Sequence, residues 1–123
     1  LNSDNIKRIS IAKKYNQSLN NLSITLPIIK SNLSNVFHLY VIRVNKKIRD
    51  ELLTHLRKND IIAGIHYRVP NFLHPAFKKK IFYKDLKNTK EIADEIISLP
   101  IYPELKNSEQ RKIIKSIKSF FNE

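Results

Sequence analysis

VFHLYVIRV, residues 36–44, is the stretch on which the fold turns. It is rich in β-branched and aromatic residues, and alternation puts Val36, His38, Tyr40, Ile42 and Val44 on one face. The other face carries Phe37, Leu39, Val41 and Arg43. Apolar cover on both faces predicts a central strand rather than an edge.

On the N-terminal side, residues 1–22 place Ile6, Ile9, Ala12, Tyr15, Leu19 and Leu22 at steps of three or four, with Ser3 or Asp4 as N-cap. That pattern predicts an amphipathic helix ended by Asn20, Asn21 and Ser23. Residues 24–29 surround Pro27 and can form only a short or edge strand. On the C-terminal side, Ile48, Leu52, Leu53 and Leu56 have helical spacing over 48–58, with Asp50 and Glu51 early and Arg57 and Lys58 late, as the helix dipole prefers. A second short strand is expected over 61–67 around Gly64.

GIHYRVPNFLHPAF, residues 64–77, follows with the only glycine, two of four histidines and two of five prolines. It reads as a stiff loop, and Lys78, Lys79 and Lys80 after it read as a solvated basic turn. Asn88 with Glu91 has the spacing of a capping box, and Ile92, Ala93, Ile96 and Ile97 predict a helix to about Ser98. Pro100 and Pro103 keep 99–103 extended. Ile113, Ile114, Ile117 and Phe120 then predict a closing helix over 107–121.

A chain of 123 residues with 41% hydrophobic content suits one domain that buries roughly two thirds of its unfolded surface. Without cysteine there is no disulfide framework, zinc ribbon or thiolate nucleophile, and a reducing cytoplasm is permitted. The most apolar stretch, 36–44, already contains His38 and Arg43, far from the roughly 20 apolar residues of a membrane span. No membrane association is expected. The chain opens with Leu1 and contains no methionine, so it reads as a piece of something longer. A net charge of +12 would suit nucleic acid or another polyanion. The basic residues are, however, 17 lysines against 6 arginines, and Lys, Asn and Ile together make 49 of 123 residues, the signature of AT-rich coding. Nucleic acid is therefore not the expected partner.

His38, His66 and His74 lack the close spacing that marks a zinc site, and no metal is assigned. His55, between leucines and arginine on a helix, reads as ordinary surface. One glycine rules out a GxSxG elbow, a phosphate-cradling loop and a GxGxxG fingerprint. What the 64–77 loop offers is an imidazole, a phenol and a guanidinium at His66, Tyr67 and Arg68, stiffened by Pro70 and Pro75. Such groups suit a ligand bearing phosphates or sugar hydroxyls, where charge-assisted hydrogen bonds are strong.

Five blocks in order carry a family resemblance: Asn5-x-x-Arg8-x-x-Ile11-Ala12-x-x-Tyr15; His38-Leu39-Tyr40-Val41-Ile42-Arg43; Gly64-Ile65-His66-Tyr67-x-x-Pro70; Leu73-His74-Pro75-Ala76-Phe77; and Ala93-x-Glu95-Ile96-Ile97-Ser98-Leu99-Pro100-Ile101-Tyr102-Pro103. Together they resemble the C-terminal part of the DegT-type sugar aminotransferases. The resemblance implies an α+β fold: a small mixed or antiparallel sheet with helices packed mainly on one face, like the small domain of fold type I pyridoxal-phosphate enzymes. Helix–strand alternation by itself also permits parallel pairing.

It further implies that residues 1–123 are the small domain of a longer chain, with 1–22 leading in from a large upstream domain. The whole enzyme would be a cytoplasmic homodimer that moves an amino group, from glutamate, onto a keto nucleotide-sugar, as in polysaccharide biosynthesis. Pyridoxal 5'-phosphate, its Schiff-base lysine and the aspartate facing its pyridine nitrogen would sit on the large domain. No lysine here falls in a matching context, so no catalytic or cofactor residue is assigned and the segment alone is expected to be inactive. His66, Tyr67, His38 and Tyr40 are the expected substrate contacts. Phe72 stands where the family commonly has a histidine, which puts the particular sugar in doubt. The alternatives are a stand-alone basic module for nucleic acid or another polyanion, and a regulatory domain that kept the fold without catalysis.

Overall fold

The computed structural model describes residues 1–29, 35–77 and 86–122. Its centre is a two-stranded antiparallel sheet, β1 (Tyr40–Arg43) on β2 (Ile96–Leu99), with Tyr40 opposite Leu99 and Arg43 opposite Ile96. Single antiparallel bridges widen it on both sides, Thr25 with Arg43 and Gly64 with Ser98. Each is closed by two backbone hydrogen bonds of 2.7–3.0 Å. The order across the sheet is thus Thr25, β1, β2, Gly64, and β1 is central as its sequence demands.

Around it lie α1 (Asn2–Leu19), α2 (Arg49–Lys58), α3 (Lys87–Glu95) and α4 (Asn107–Asn122). Opposite residues in a ladder share a face, so Tyr40, Ile42, Ile97 and Leu99 form one side. They join a single core with Tyr15 and Leu19 of α1, Leu52 and Leu56 of α2, and Ile113, Ile114 and Ile117 of α4. The expected α+β architecture, antiparallel with the helical core on one face, is the observed one. On the other face lie Ser98 and Ile96, and buried Ala93 and Phe72 stand outside the main core cluster.

Buried polar groups tie the helices to the sheet. The Tyr40 hydroxyl donates to Asn16 Oδ1 (2.6 Å), Asn16 Nδ2 donates to the Pro27 carbonyl (2.9 Å), and the Tyr15 hydroxyl donates to the Pro100 carbonyl (2.9 Å). The two phenol rings stack at 4.9 Å, a contact of about 0.5–1.5 kcal/mol beyond area burial. Gln110, 2% exposed, donates from α4 to the Ile11 carbonyl of α1 (2.8 Å).

Several local expectations are corrected. The strand starts at Tyr40, not Val36, because Phe37 takes a positive φ of 49° and buries its ring, leaving Val36, His38 and Leu39 exposed. Residues 24–29 and 61–67 contribute one bridge each instead of strands. Helix α1 ends at Leu19, neither Ser3 nor Asp4 caps it, and Ile6 is exposed. The capping box does not form, since α3 starts at Lys87 with no side-chain cap. That helix stops at Glu95 and not near Ser98. Val44 N–H takes the Glu95 carbonyl (3.0 Å), Arg43 holds the Glu95 carboxylate (2.6 and 2.9 Å), and the β-branched Ile96 and Ile97 enter the sheet. His55 is not plain surface: its Nε2 donates to the Ser116 carbonyl (3.0 Å) and its ring meets Phe120 edge-on, joining α2 to α4. The basic run 78–80 lies outside the described residues.

Burial raises the phenol pKa of Tyr15, with Tyr40 and Tyr102 adding to it, and burial raises that of Tyr40. Above the ordinary value of 10.0 the unfolded chain gives up these protons while the native state keeps them. Their contribution is therefore complete below pH 10.0 and lost as pH rises beyond it, by up to about 1.4 kcal/mol per pH unit for each tyrosine. Urea unfolding of the chain across this range should show a shallower alkaline decline for Tyr40→Phe than for the parent. An equal slope would mean the phenol ionises as readily folded as unfolded.

Candidate functional site

The 64–77 loop leaves the sheet at Gly64 and is fastened at three further points. His66 Nδ1 lies 2.9 Å from the Ser98 hydroxyl of β2. Arg68 reaches Asp50 on α2 at 3.5 Å, an exposed ion pair of small energetic weight. Pro70 precedes the 3₁₀ turn η1 (Asn71–Leu73), which drives Phe72 inward to 6% exposure, with the Lys90 ammonium of α3 5.9 Å above its ring. Turn bonds from Leu73, His74 and Phe77 N–H to the carbonyls of Pro70, Asn71 and His74 (2.9–3.0 Å) complete the frame.

Between these anchors the loop turns its polar aromatics outward. Tyr67 is 76% exposed and its ring meets His66 edge-on at 5.8 Å. Val69, Leu73 and Phe77 are exposed too. Beside the loop runs an open groove of about 810 Å³ whose lining includes Asp50, Thr54, Arg57, Asp60 and Arg68. Its acids and arginines balance, so it presents hydrogen-bonding groups without a strong field of either sign.

The structure brings two of the four sequence-designated contacts together, His66 and Tyr67. His38 is exposed and has no hydrogen-bond, ion-pair or ring partner among the described residues. By the ladder register it precedes the Tyr40–Leu99 end of the sheet, whereas the chain after Gly64 starts toward Ile96. Tyr40 is fully buried, its hydroxyl bound by Asn16, and offers no surface to a ligand from this chain. The alternation that put His38 and Tyr40 on one face fails because the chain bends at His38 and Leu39, just after the positive φ at Phe37, and becomes a strand only at Tyr40.

Ser98 is the residue that sequence reasoning missed. It lay in a run that fits helical spacing, and only the β-branched pair before Leu99 and Pro100 hinted at a buried strand. A hydroxyl beside an imidazole can be a nucleophile with its base. Here Ser98 is 5% exposed, and its hydroxyl holds the His66 ring to the sheet. Among the described residues no three His, Asp or Glu side chains are grouped to hold a metal ion, and no helix is long and apolar enough to cross a membrane.

Comparison with known proteins gives a consistent picture. Residues 1–118 match the DegT/DnrJ/EryC1/StrS aminotransferase family. The chain is 31% identical over 122 residues to the dTDP-3-amino-3,4,6-trideoxy-alpha-D-glucose transaminase of Streptomyces venezuelae, covering 98% of this chain and 32% of that protein. The crystal structure of S. venezuelae DesV in complex with a ketimine intermediate superposes with a TM-score of 0.91 at 30% identity, over 99% of this chain and 33% of that one. NtdA of Bacillus subtilis, solved with bound cofactor PMP, shares the fold with a TM-score of 0.87 at 23% identity, over 98% and 29%. The chain spans about a third of the length of these relatives.

If Phe72 fastens the loop, Phe72→Ala should speed hydrogen exchange at the Leu73, His74 and Phe77 amides by at least about tenfold while Leu52 and Ile117 stay protected. Unchanged exchange at those three amides would show that other anchors suffice.

Proposed function

Since the chain belongs to the DegT/DnrJ/EryC1/StrS aminotransferase family, we propose that it is the C-terminal small domain of a pyridoxal-phosphate-dependent enzyme that aminates the keto group of a nucleotide-linked sugar. Glutamate is the proposed amino donor. The observation that carries this reading is the fastened 64–77 loop, which holds His66 and Tyr67 outward beside the open groove.

The described residues of this chain form no cofactor cradle. No lysine among the described residues is buried, and the half-buried Lys14 donates to Asn107 (3.0 Å). The cofactor, which supplies an electron sink for amino transfer when bound, is accordingly assigned to the two thirds of the enzyme outside this chain. The part played here is binding and orientation. Imidazole, phenol and guanidinium of His66, Tyr67 and Arg68 meet phosphate and sugar oxygens, with His38 as a further contact from a separate approach. Fixing a substrate in this way lowers the entropy lost on reaching the reactive geometry. The proposed enzyme is a cytoplasmic homodimer whose partner subunit helps close the cleft, a location the absence of cysteine suits.

Incubation of the full-length protein with pyridoxal phosphate, glutamate and a panel of dTDP- and UDP-linked keto-sugars should yield an amino-sugar nucleotide by mass spectrometry. No product from any keto-sugar would overturn the reading. In the active enzyme, His66→Ala should raise KM for the nucleotide-sugar about tenfold, equivalent to about 1.4 kcal/mol of lost binding.

A further inference from the structure

Ser98 is held more tightly than a loop-contacting serine needs to be. Its N–H donates to the Gly64 carbonyl at 2.7 Å and its carbonyl accepts from Gly64 N–H at 3.0 Å. On its other side it stands opposite Val41 of β1. With the backbone fixed from both sides, the hydroxyl emerges on the sheet face away from the helical core, and its partner among the described residues is His66 Nδ1, 2.9 Å away.

Gly64 supports the same ring from below. A Cβ built there would come within 3.2 Å of His66 Cε1 and 3.8 Å of Nδ1, so the imidazole lies folded back over the glycine. Two neighbours in the ladder, one lacking a side chain and one ending in a hydroxyl, thus form a seat for a single ring.

The seat also selects a tautomer. A serine hydroxyl carries one proton, and in the neutral imidazole only one nitrogen does. If Nδ1 bore the ring proton and donated it to Ser98, the serine proton would be buried with no acceptor among the described residues. When Ser98 donates to Nδ1 instead, the Ser98 hydroxyl and Nδ1 are both paired and Nε2 carries the ring proton. Nε2 has no partner among the described residues, on a residue that is exposed.

We propose that Ser98, with Gly64, is a positioning residue that holds the His66 ring with Nδ1 as acceptor, selecting the Nε2–H tautomer, and aims that N–H outward as a hydrogen-bond donor to an oxygen of the nucleotide-sugar. This rests on the proposed role of His66 as a substrate contact. The ligand group selected is an acceptor, a phosphate or a sugar oxygen, and a cationic or donor-only group is disfavoured at this point.

The test uses the full-length enzyme labelled with ¹⁵N-histidine, with His66 assigned by His66→Asn. Side-chain ¹⁵N shifts are read at a pH where the imidazole is neutral, and KM and kcat for the nucleotide-sugar are measured alongside. The parent should show the Nε2–H pattern, and Ser98→Ala should convert it to a mixture and raise KM about tenfold with little change in kcat. Ser98→Thr, which keeps the hydroxyl, should restore both. Should Ser98→Ala fail to fold, Gly64→Ala leaves the serine in place and displaces the ring, and the same two changes are expected from it. Retention of the Nε2–H pattern and of KM in these variants, while His66→Ala raises KM, would overturn the seat and leave His66 as a substrate contact. A tautomer that shifts while KM is indifferent to Ser98→Ala and His66→Ala alike would overturn the substrate role of His66, and with it the assignment of Ser98 to the reaction.

Discussion

A buried strand must find partners for its backbone on both sides and cover for both its faces, and the four residues Ile96–Leu99 meet that demand within one narrow layer. All four are buried. Their ladder to β1 joins them to the centre of the sheet, and the bridge at Ser98 joins them to the start of the 64–77 loop. The rest of the molecule is arranged by which face of this strand it covers.

The Ile97 and Leu99 face takes the helices. Tyr15, Leu19, Leu52, Leu56, Ile113, Ile114 and Ile117 close over it, and the hydroxyls of Tyr15 and Tyr40 find acceptors at its border, so that two large phenols are buried without a lost hydrogen bond. The junction entering the strand is equally constrained. Arg49, 6% exposed at the start of α2, donates to the Ala93 carbonyl at the end of α3 (3.2 Å), placing a cation at a helix C-terminus. Its Nε stands 2.7 Å from Asp50 Oδ1 without hydrogen-bond alignment, so that contact counts as an ion pair alone. Both outer segments of the sheet pair through single residues, which leaves little open ladder for edge-to-edge association.

The Ser98 face takes the loop. A strand paired on both sides lies beneath a fastened loop, and side chains set against regular elements hold their geometry better than those on free chain. The whole-chain charge of +12 plays no organised part in the described site, where Asp50 and Asp60 accompany Arg57 and Arg68.

The sequence by itself determined the amphipathic elements and the family. Helices α2 and α4 follow from apolar residues every three or four positions, a property of the local chain that no neighbour has to supply. Five ordered motifs were enough to identify the family, and the histidine and tyrosine of the loop were visible because a polar aromatic pair between a glycine and a proline stands out in a stiff loop. Tertiary structure alone decided the rest. The run from Ile92 to Leu99 satisfies helix and strand periodicity alike, and the pairing of Ser98 with Gly64, 34 positions away, made its end a strand. A bend at His38 and Leu39, following the positive φ at Phe37, left His38 on the surface and turned Tyr40 into the core, although both share a parity in the sequence. Ser98 stood in one of the five motifs without a role, since a hydroxyl acquires its meaning from the group that folding brings within 2.9 Å of it.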